Sequence, residues 1–314
     1  MSIIEKQICD IVNELQSDYE QKNSYDDITI FNHPDKDAII DILMNLRKIV
    51  FLGYFRNRTI KVRTRRNNLS MLIEDVFFKL VKQIKIVLNS ENDDDEVLTE
   101  KALKITFSFM SRLKKIKEYI DSDVQAAYDG DPAAYSVDEI IFSYPGLFAI
   151  FVNRVAHELY QLGVPIIPRM MTEYAHSKTG IDIHPGASIG KNFFIDHGTG
   201  IVIGETTVIG DNVKIYQGVT LGALSTRGGQ QLKNKKRHPT IEDNVTIYSG
   251  ASILGGNTVI GKNVVIGGNA FVTCSVPEGA KVSIRSQELR YDYGKDKTIK
   301  AKEYFDDDNW FYII

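Results

Sequence analysis

Residues 201–222 read IVIGETTVIGDNVKIYQGVTLG, and this stretch decides the fold. Ile203, Ile209, Ile215 and Leu221 recur every six residues. A 3.6-residue helix does not keep such positions on one face, and a half-buried strand alternates every two. A period of six suits a solenoid whose flat faces each take six residues and stack their aliphatic side chains in columns. Working outward, the same phase holds at Ile183, Ile189 and Ile195, at Ile241, Ile247 and Ile253, and at Ile260, Ile266 and Val272. The steps between these blocks are 8, 20 and 7 residues. Glycine often follows the aliphatic residue, which permits a tight corner. Smaller residues fall four positions after it, among them Ala187, Val213, Val219, Val245, Ala251, Val264 and Ala270. Three faces per coil predict about five coils. A β-sandwich is the alternative, and it would show period-two alternation with irregular turns.

The chain before this region is written in another period. Ile4, Ile8, Ile11 and Leu15 recur at steps of three and four, as do Ile39, Ile42, Leu43, Leu46 and Val50. Ile73, Val76, Phe77, Leu80 and Ile84, then Leu103, Ile105, Phe109 and Leu113, repeat that helical spacing. Residues 90–96 (SENDDDE) read as a loop, and Asp131-Pro132 ends what precedes it. A helix over residues 146–163 follows, with Pro165 and Pro168 closing it. The organisation expected is α+β: an all-α domain over 1–175, a parallel β-helix over 176–285 and an extended tail over 286–314.

With 43% hydrophobic and 25% charged residues over 314, the chain can bury a real core. Its net charge of -3 gives no bulk attraction to nucleic acid or a membrane surface. The basic run at residues 56–66 (RNRTIKVRTRR) lacks interleaved aromatics and reads as a helix connection or assembly surface. Cys9 and Cys274 form no CxxC or paired framework, which suits free thiols in the cytoplasm. The N-terminus lacks a signal-peptide pattern, and no run approaches the ~20 apolar residues that cross a bilayer.

The chain has six histidines: His33, His157, His176, His184, His197 and His238. Three lie against the repeats beside charged residues: Asp182 with His184, Asp196 with His197, and Arg237 with His238. His197 stands where the repeat is stretched by two residues, and Arg237 and His238 end the long insertion at 223–238. Irregularities in a repeat are where ligand sites are expected, since the regular coil is occupied with packing. Moving an acyl group to an alcohol needs a base for the hydroxyl proton, and an imidazole oriented by a carboxylate serves. His197 with Asp182, one coil back, is the preferred pair. Asp196 is adjacent in sequence and should point away from His197 in an extended segment.

The motifs DIHPGASIG (182–190), DHGTGIVIGET (196–206) and RHP (237–239), with GDPAAYS (130–136) upstream of Arg154 and His157, resemble those of bacterial and plant serine acetyltransferases. The resemblance covers about residues 120–285, within the wider hexapeptide-repeat acyltransferase superfamily. It implies a left-handed β-helix, a trimer or dimer of trimers, and acetyl transfer from acetyl-CoA to L-serine in cysteine biosynthesis. It also implies His197 as base and Asp182 as its partner. Asp131 and Asp196 would take the serine ammonium, and Arg237 and His238 its carboxylate from an adjoining subunit. Glu205 matches a family position near the site. Acetyl-CoA would lie between two prisms, with Gly222, Ala223, Gly250, Ala251, Gly268 and Asn269 as candidate contacts. Lys233, Lys235 and Lys236 could meet its phosphates. The insertion is longer than the family's usual one.

A carbonic-anhydrase-like zinc site would need three neutral histidines. His184, His197 and His238 are available, but their charged neighbours suit a zwitterion better, so no metal is expected. Residues 305–314 (FDDDNWFYII) resemble the segment by which such enzymes dock into O-acetylserine sulfhydrylase, with Ile314 as anchor; the alternative is a tail folded on its own surface. On the first reading the chain could act chiefly as a scaffold for that partner.

Overall fold

The computed structural model describes residues 3–20, 33–55, 65–89, 94–284, 289–292 and 298–301. Most of the basic run at 56–66 and the tail segment with Trp310 and Ile314 lie outside the described residues. The chain divides into two units, Met1–Pro34 and Asp35–Ile314. The first holds helix α1 (Ile3–Glu20). Its Ile4, Ile8, Ile11 and Leu15 share a face as their spacing requires, but all four are exposed.

The second unit opens with seven helices: α2 (Lys36–Val50), α3 (Arg65–Leu88), α4 (Asp95–Ser111), α5 (Leu113–Gly130), α6 (Val137–Ser143), α7 (Pro145–Gln161) and α8 (Ile167–Thr179). Side-chain oxygens of Asp35, Asp94 and Ser136 accept backbone N–H groups at the starts of α2, α4 and α6 and so cap them. Ile42, Leu46, Val76, Leu80, Phe109, Ile120 and Phe151 fill the shared core. Helix α5 stops one residue before Asp131-Pro132, as the proline demands. Pro168 starts a helix instead of closing one, because its missing N–H is no loss in a first turn. That helix, α8, continues past residue 175 to Thr179 and ends on Gly180 at φ 70. Among the described residues no single helix is long and apolar enough to cross a membrane.

A parallel solenoid follows. Its strands are β1 (Asp182–Ile183), β2 (Ser188–Ile189), β3 (Phe194–Asp196), β4 (Val202–Ile203), β5 (Val208–Ile209), β6 (Lys214–Tyr216) and β7 (Thr220–Gly222). After the insertion come β8 (Thr240–Ile241), β9 (Thr246–Ile247), β10 (Ser252–Leu254), β11 (Val259–Ile260), β12 (Val265–Ile266), β13 (Phe271–Val272) and β14 (Lys281–Val282). They form three faces: β1-β4-β7-β10-β13, β2-β5-β8-β11 and β3-β6-β9-β12-β14. Two faces are five strands high, as the period of six anticipated. Ile183, Ile203, Leu221, Ile253 and Val272 form one buried column, and Ile195, Ile215, Ile247 and Ile266 another. Within the tail, β15 (Leu289–Asp292) pairs antiparallel with β16 (Thr298–Ala301), a hairpin that the reading as an extended tail did not include.

Three corners join the faces. The asparagine corner, from second face to third, carries Asn192, Asn212, Asn244 and Asn263, all at φ between 55 and 61. Here the helices grip the solenoid. Arg154 of α7 bonds both carboxylate oxygens of the buried Asp123 of α5 and also donates to the carbonyls of Ile189 and Gly190. Asp123 Oδ1 accepts Phe193 N at 2.9 Å, and Ser122 Oγ accepts Asn192 N at 3.1 Å.

Candidate active site

The glycine corner joins the third face to the first. Gly180, Gly200, Gly218 and Gly250 lie in it at φ 70, 82, 72 and 70. A Cβ on Gly218 would stand 3.4 Å from Gly250 Cα, an ordinary contact, so it is the left-handed φ that favours glycine here. The two-residue stretch lies in this corner, pinned by Gly200 N to Gly180 O at 2.8 Å and Gly218 N to Thr199 O at 3.0 Å. His197 sits within it at φ 56, a conformation that non-glycine residues seldom adopt. Its imidazole is 62% exposed, with Nε2 3.8 Å from Asp196 Oδ1. The expectation that Asp196 points away is therefore corrected. It assumed an extended backbone, and the left-handed turn at His197 brings the two neighbours to the same side.

Asp182 lies one coil beneath this stretch, its amide donating to Ile201 O at 2.9 Å. Its carboxylate meets Arg169 Nη1 of α8 at 3.5 Å, and among the described residues no ion pair joins it to His197. Arg169 also pairs with Glu173, whose other oxygen faces His176 Nδ1 at 3.4 Å. Ligand atoms of Glu173, His176 and Asp182 fall within 4.8 Å of one another, but Arg169 shares both carboxylates.

Asp131 reaches the same corner from the end of α5. Its Oδ1 accepts Ala133 N at 2.8 Å and its Oδ2 accepts the Tyr144 hydroxyl at 2.6 Å. The Tyr144 bond, against burial and with help from Lys214 and His197, holds the Asp131 carboxyl below its usual range. Lys214 turns its ammonium to Gly130 O at 2.7 Å, over the rings of Phe194 and Tyr216.

A second cluster occupies the insertion corner, between first face and second. Arg237 pairs with Glu205, whose other oxygen accepts the Tyr160 hydroxyl of α7 at 2.9 Å. Burial pushes the Glu205 carboxyl up, but the Arg237 and Tyr160 bonds outweigh it and the group ends below its usual range. Thr206 pins the returning chain: its Oγ1 accepts the amides of Arg237 and His238 at 2.9 and 3.1 Å. Thr206 N donates to His238 Nδ1 at 3.1 Å, which leaves the ring proton on Nε2. Burial first, then the Arg237 charge, push the His238 imidazolium down to about 4. His184, ring edge against Tyr160, accepts Gly186 N on Nδ1 and is lowered mainly by burial. His157 is likewise lowered by burial.

One chain thus sorts the expected site residues into two groups. Asp131, Asp182, Asp196 and His197 gather at the glycine corner, while Glu205, Arg237 and His238 gather at the insertion corner. The three histidines weighed as zinc ligands do not converge, since His184 and His238 share one corner and His197 stands at the other. The candidate acetyl-CoA contacts divide in the same way. Gly250, Ala251, Gly268 and Asn269 line the glycine corner, with the Ala251 methyl buried in the core. Gly222 and Ala223 lead into the insertion corner, where a cavity of about 350 Å³ lies among Leu224, Lys236, Thr258, Thr273 and Cys274. Lys233, Lys235 and Lys236 are all exposed, but the Lys236 ammonium donates to the carbonyls of Thr206, His238 and Pro239.

No family model matches the chain. A curated serine acetyltransferase of Synechococcus elongatus is 46% identical over 222 residues, spanning 68% of this chain and 70% of that protein. The chain belongs to the serine acetyltransferase family. A serine acetyltransferase of Bacillus licheniformis is 51% identical over 132 residues, spanning 42% of this chain and 56% of its own length. Among solved structures, Entamoeba histolytica serine acetyltransferase isoform 3 in complex with cysteine aligns at TM-score 0.69 and 36% identity, covering 90% of this chain and 95% of that one. The Neisseria gonorrhoeae serine acetyltransferase in complex with serine aligns at TM-score 0.52 and 29% identity, covering 79% and 97%. The helical region and parallel solenoid are thus those of serine acetyltransferases. Sequence reasoning missed Tyr144, Tyr160, Arg169 and Thr206 around this family's motifs. Only Tyr144 had a local signal, standing just before the helix-starting Pro145.

Proposed function

We propose that the chain transfers acetyl from acetyl-CoA to the hydroxyl of L-serine by direct attack, with His197 as general base. The observation that carries this reading is the exposed imidazole held at φ 56 in the stretched glycine corner, between Asp196 and the column of bare glycines. His197 takes the hydroxyl proton, the serine oxygen forms a bond to the thioester carbon, and the carbon–sulfur bond breaks. The same imidazolium then returns the proton to the CoA sulfur. Asp182, one coil below, is the orienting acid in this scheme. Asp131 and Asp196 take the ammonium and Arg237 with His238 the carboxylate, a polarity that suits a zwitterion. The relatives bound to serine and to cysteine hold such zwitterions. A cysteine bound at the same place would exclude serine.

The ammonium and carboxylate of serine sit on one carbon, whereas the two charged groups of this chain stand on different corners with strand β4 between them. A complete site therefore takes the glycine corner of one copy and the insertion corner of its neighbour, in a trimer or a dimer of trimers. The divided acetyl-CoA candidates fit the same groove, which leads to the cavity beside Ala223. We place the enzyme in the cytoplasm, with its residues 305–314 as the docking segment for a sulfhydrylase.

A thiol-release assay with acetyl-CoA and L-serine tests the chemistry. His197→Ala should lower turnover by about 10²- to 10⁴-fold and Asp182→Ala by less, both with acetyl-CoA affinity nearly unchanged. Wild-type turnover retained in His197→Ala would end the proposal, and a fully active monomer in light scattering would end the shared site.

A further inference from the structure

We infer that Tyr144 is a positioning residue for the acceptor amino acid, its phenol holding the Asp131 carboxylate in place to receive the ammonium. The inference rests on the proposed role of Asp131 and adds a residue to it. Asp131 follows α5 directly and would otherwise be free to turn. Its two oxygens are instead fixed separately, Oδ1 by Ala133 N at 2.8 Å and Oδ2 by Tyr144 Oη at 2.6 Å. Both donors are neutral, and among the described residues no cation stands within ion-pair distance of this carboxylate. The nearby Lys214 is spent on Gly130 O. Asp196, the other carboxylate of the corner, is paired among the described residues with the His197 imidazole alone. Two carboxylates, one of them held at both oxygens and neither ion-paired to a Lys or Arg, beside an exposed imidazole, form a receptor for a positive ligand.

Tyr144 owes its place to tertiary structure. It precedes Pro145 at the start of α7, and its ring packs against the helical core while its hydroxyl crosses to the end of α5. Burial and the Asp131 bond raise the phenol, which keeps it a donor at any working pH. A hydrogen bond to a charged group removed in this way should be read in ground-state binding of the ligand that the group orients.

The test is a kinetic cycle on the full chain with Tyr144→Phe, Asp131→Asn and the double variant. Tyr144→Phe should raise the serine KM about ten-fold, with kcat within about two-fold and the acetyl-CoA KM unchanged. In the Asp131→Asn background the same change should add almost nothing, and Tyr144→His, which keeps a donor, should recover part of the loss in the native background. Should Tyr144→Phe fail to fold, Tyr144→His against Tyr144→Met carries the comparison. If Asp131→Asn raises the serine KM and Tyr144→Phe does not, the inference falls alone. A rise of equal size with and without Asp131 also sinks it. If Asp131→Asn leaves the serine KM unchanged, the ammonium assignment falls and takes the inference with it.

Discussion

The asparagine corner and the glycine corner face the same backbone problem, a left-handed residue in each coil, and solve it in opposite ways. At the first, the asparagines bond one another along the stack, Asn192 to Asn212 at 2.7 Å and Asn212 to Asn244 at 3.0 Å. Asp211 and Asp243 accept backbone amides of the coil below, at 2.6 and 3.0 Å. Most of the side-chain polar groups there are spent on one another and on the next coil, and the helical half is clamped on. At the second, glycines leave bare backbone, and the left-handed side chains are His197 and, at the far end of the stack, Asn269. A ladder that satisfies itself has little to offer a ligand. A column of glycines with an exposed imidazole does.

The comparison breaks most visibly if the clamp is cut. Arg154→Met leaves Asp123 buried and unpaired and should cost about 3–5 kcal/mol in denaturant unfolding, whereas Arg154→Met with Asp123→Leu should cost less. A cost near zero for the single change would show that the asparagine corner does not anchor the helices.

The insertion corner supplies the next effect, read against pH. His238 titrates at about 4 in the folded chain, against 6.5 unperturbed. Between those values the unfolded state binds a proton that the folded state lacks, so stability rises with pH across this window. It is fully present above about 6.5 and lost as pH falls toward 4, by about 1–2 kcal/mol in all once solvent screening of the ring is counted. His238→Asn should flatten that slope in thermal unfolding, and an unaltered slope would remove His238 as its source.

The smallest pair sharpens the contrast directly. Asn212→Ala puts a Cβ residue without a ladder bond at φ 59 and should lose about 1–2 kcal/mol with serine and acetyl-CoA KM values unchanged. Gly218→Ala should lose about as much and also raise the acetyl-CoA KM, because its methyl enters the proposed groove. Equal kinetics in the two variants would erase the functional difference between the corners.

Much of this was legible before any coordinates. Columns such as Ile183, Ile203, Leu221, Ile253 and Val272 follow from phase alone, since each coil must bury one aliphatic residue per face. Asp131, His197 and Arg237 stood out because they interrupt that phase or end a helix. What stayed hidden depends on long-range meetings. The Tyr144 bond joins the end of α5 to the start of α7, and Tyr160 reaches Glu205 across 45 positions. The side-by-side arrangement of Asp196 and His197 depends on one backbone angle that alternation rules do not carry. The exposed stripe of α1 has the spacing of a core face, because periodicity reports which residues share a side and not what covers it.

Lys236 gives the 223–238 excursion a fixed end. Its ammonium gathers three carbonyls, two of them just ahead in the chain and one from the coil below, so the strand that delivers Arg237 and His238 is staked down at its root. Upstream residues can then be added or deleted without changing where that arginine is presented. Loop length becomes free to drift while the Arg237–Glu205 pair stays put, so the sixteen-residue detour leaves the insertion corner undisturbed.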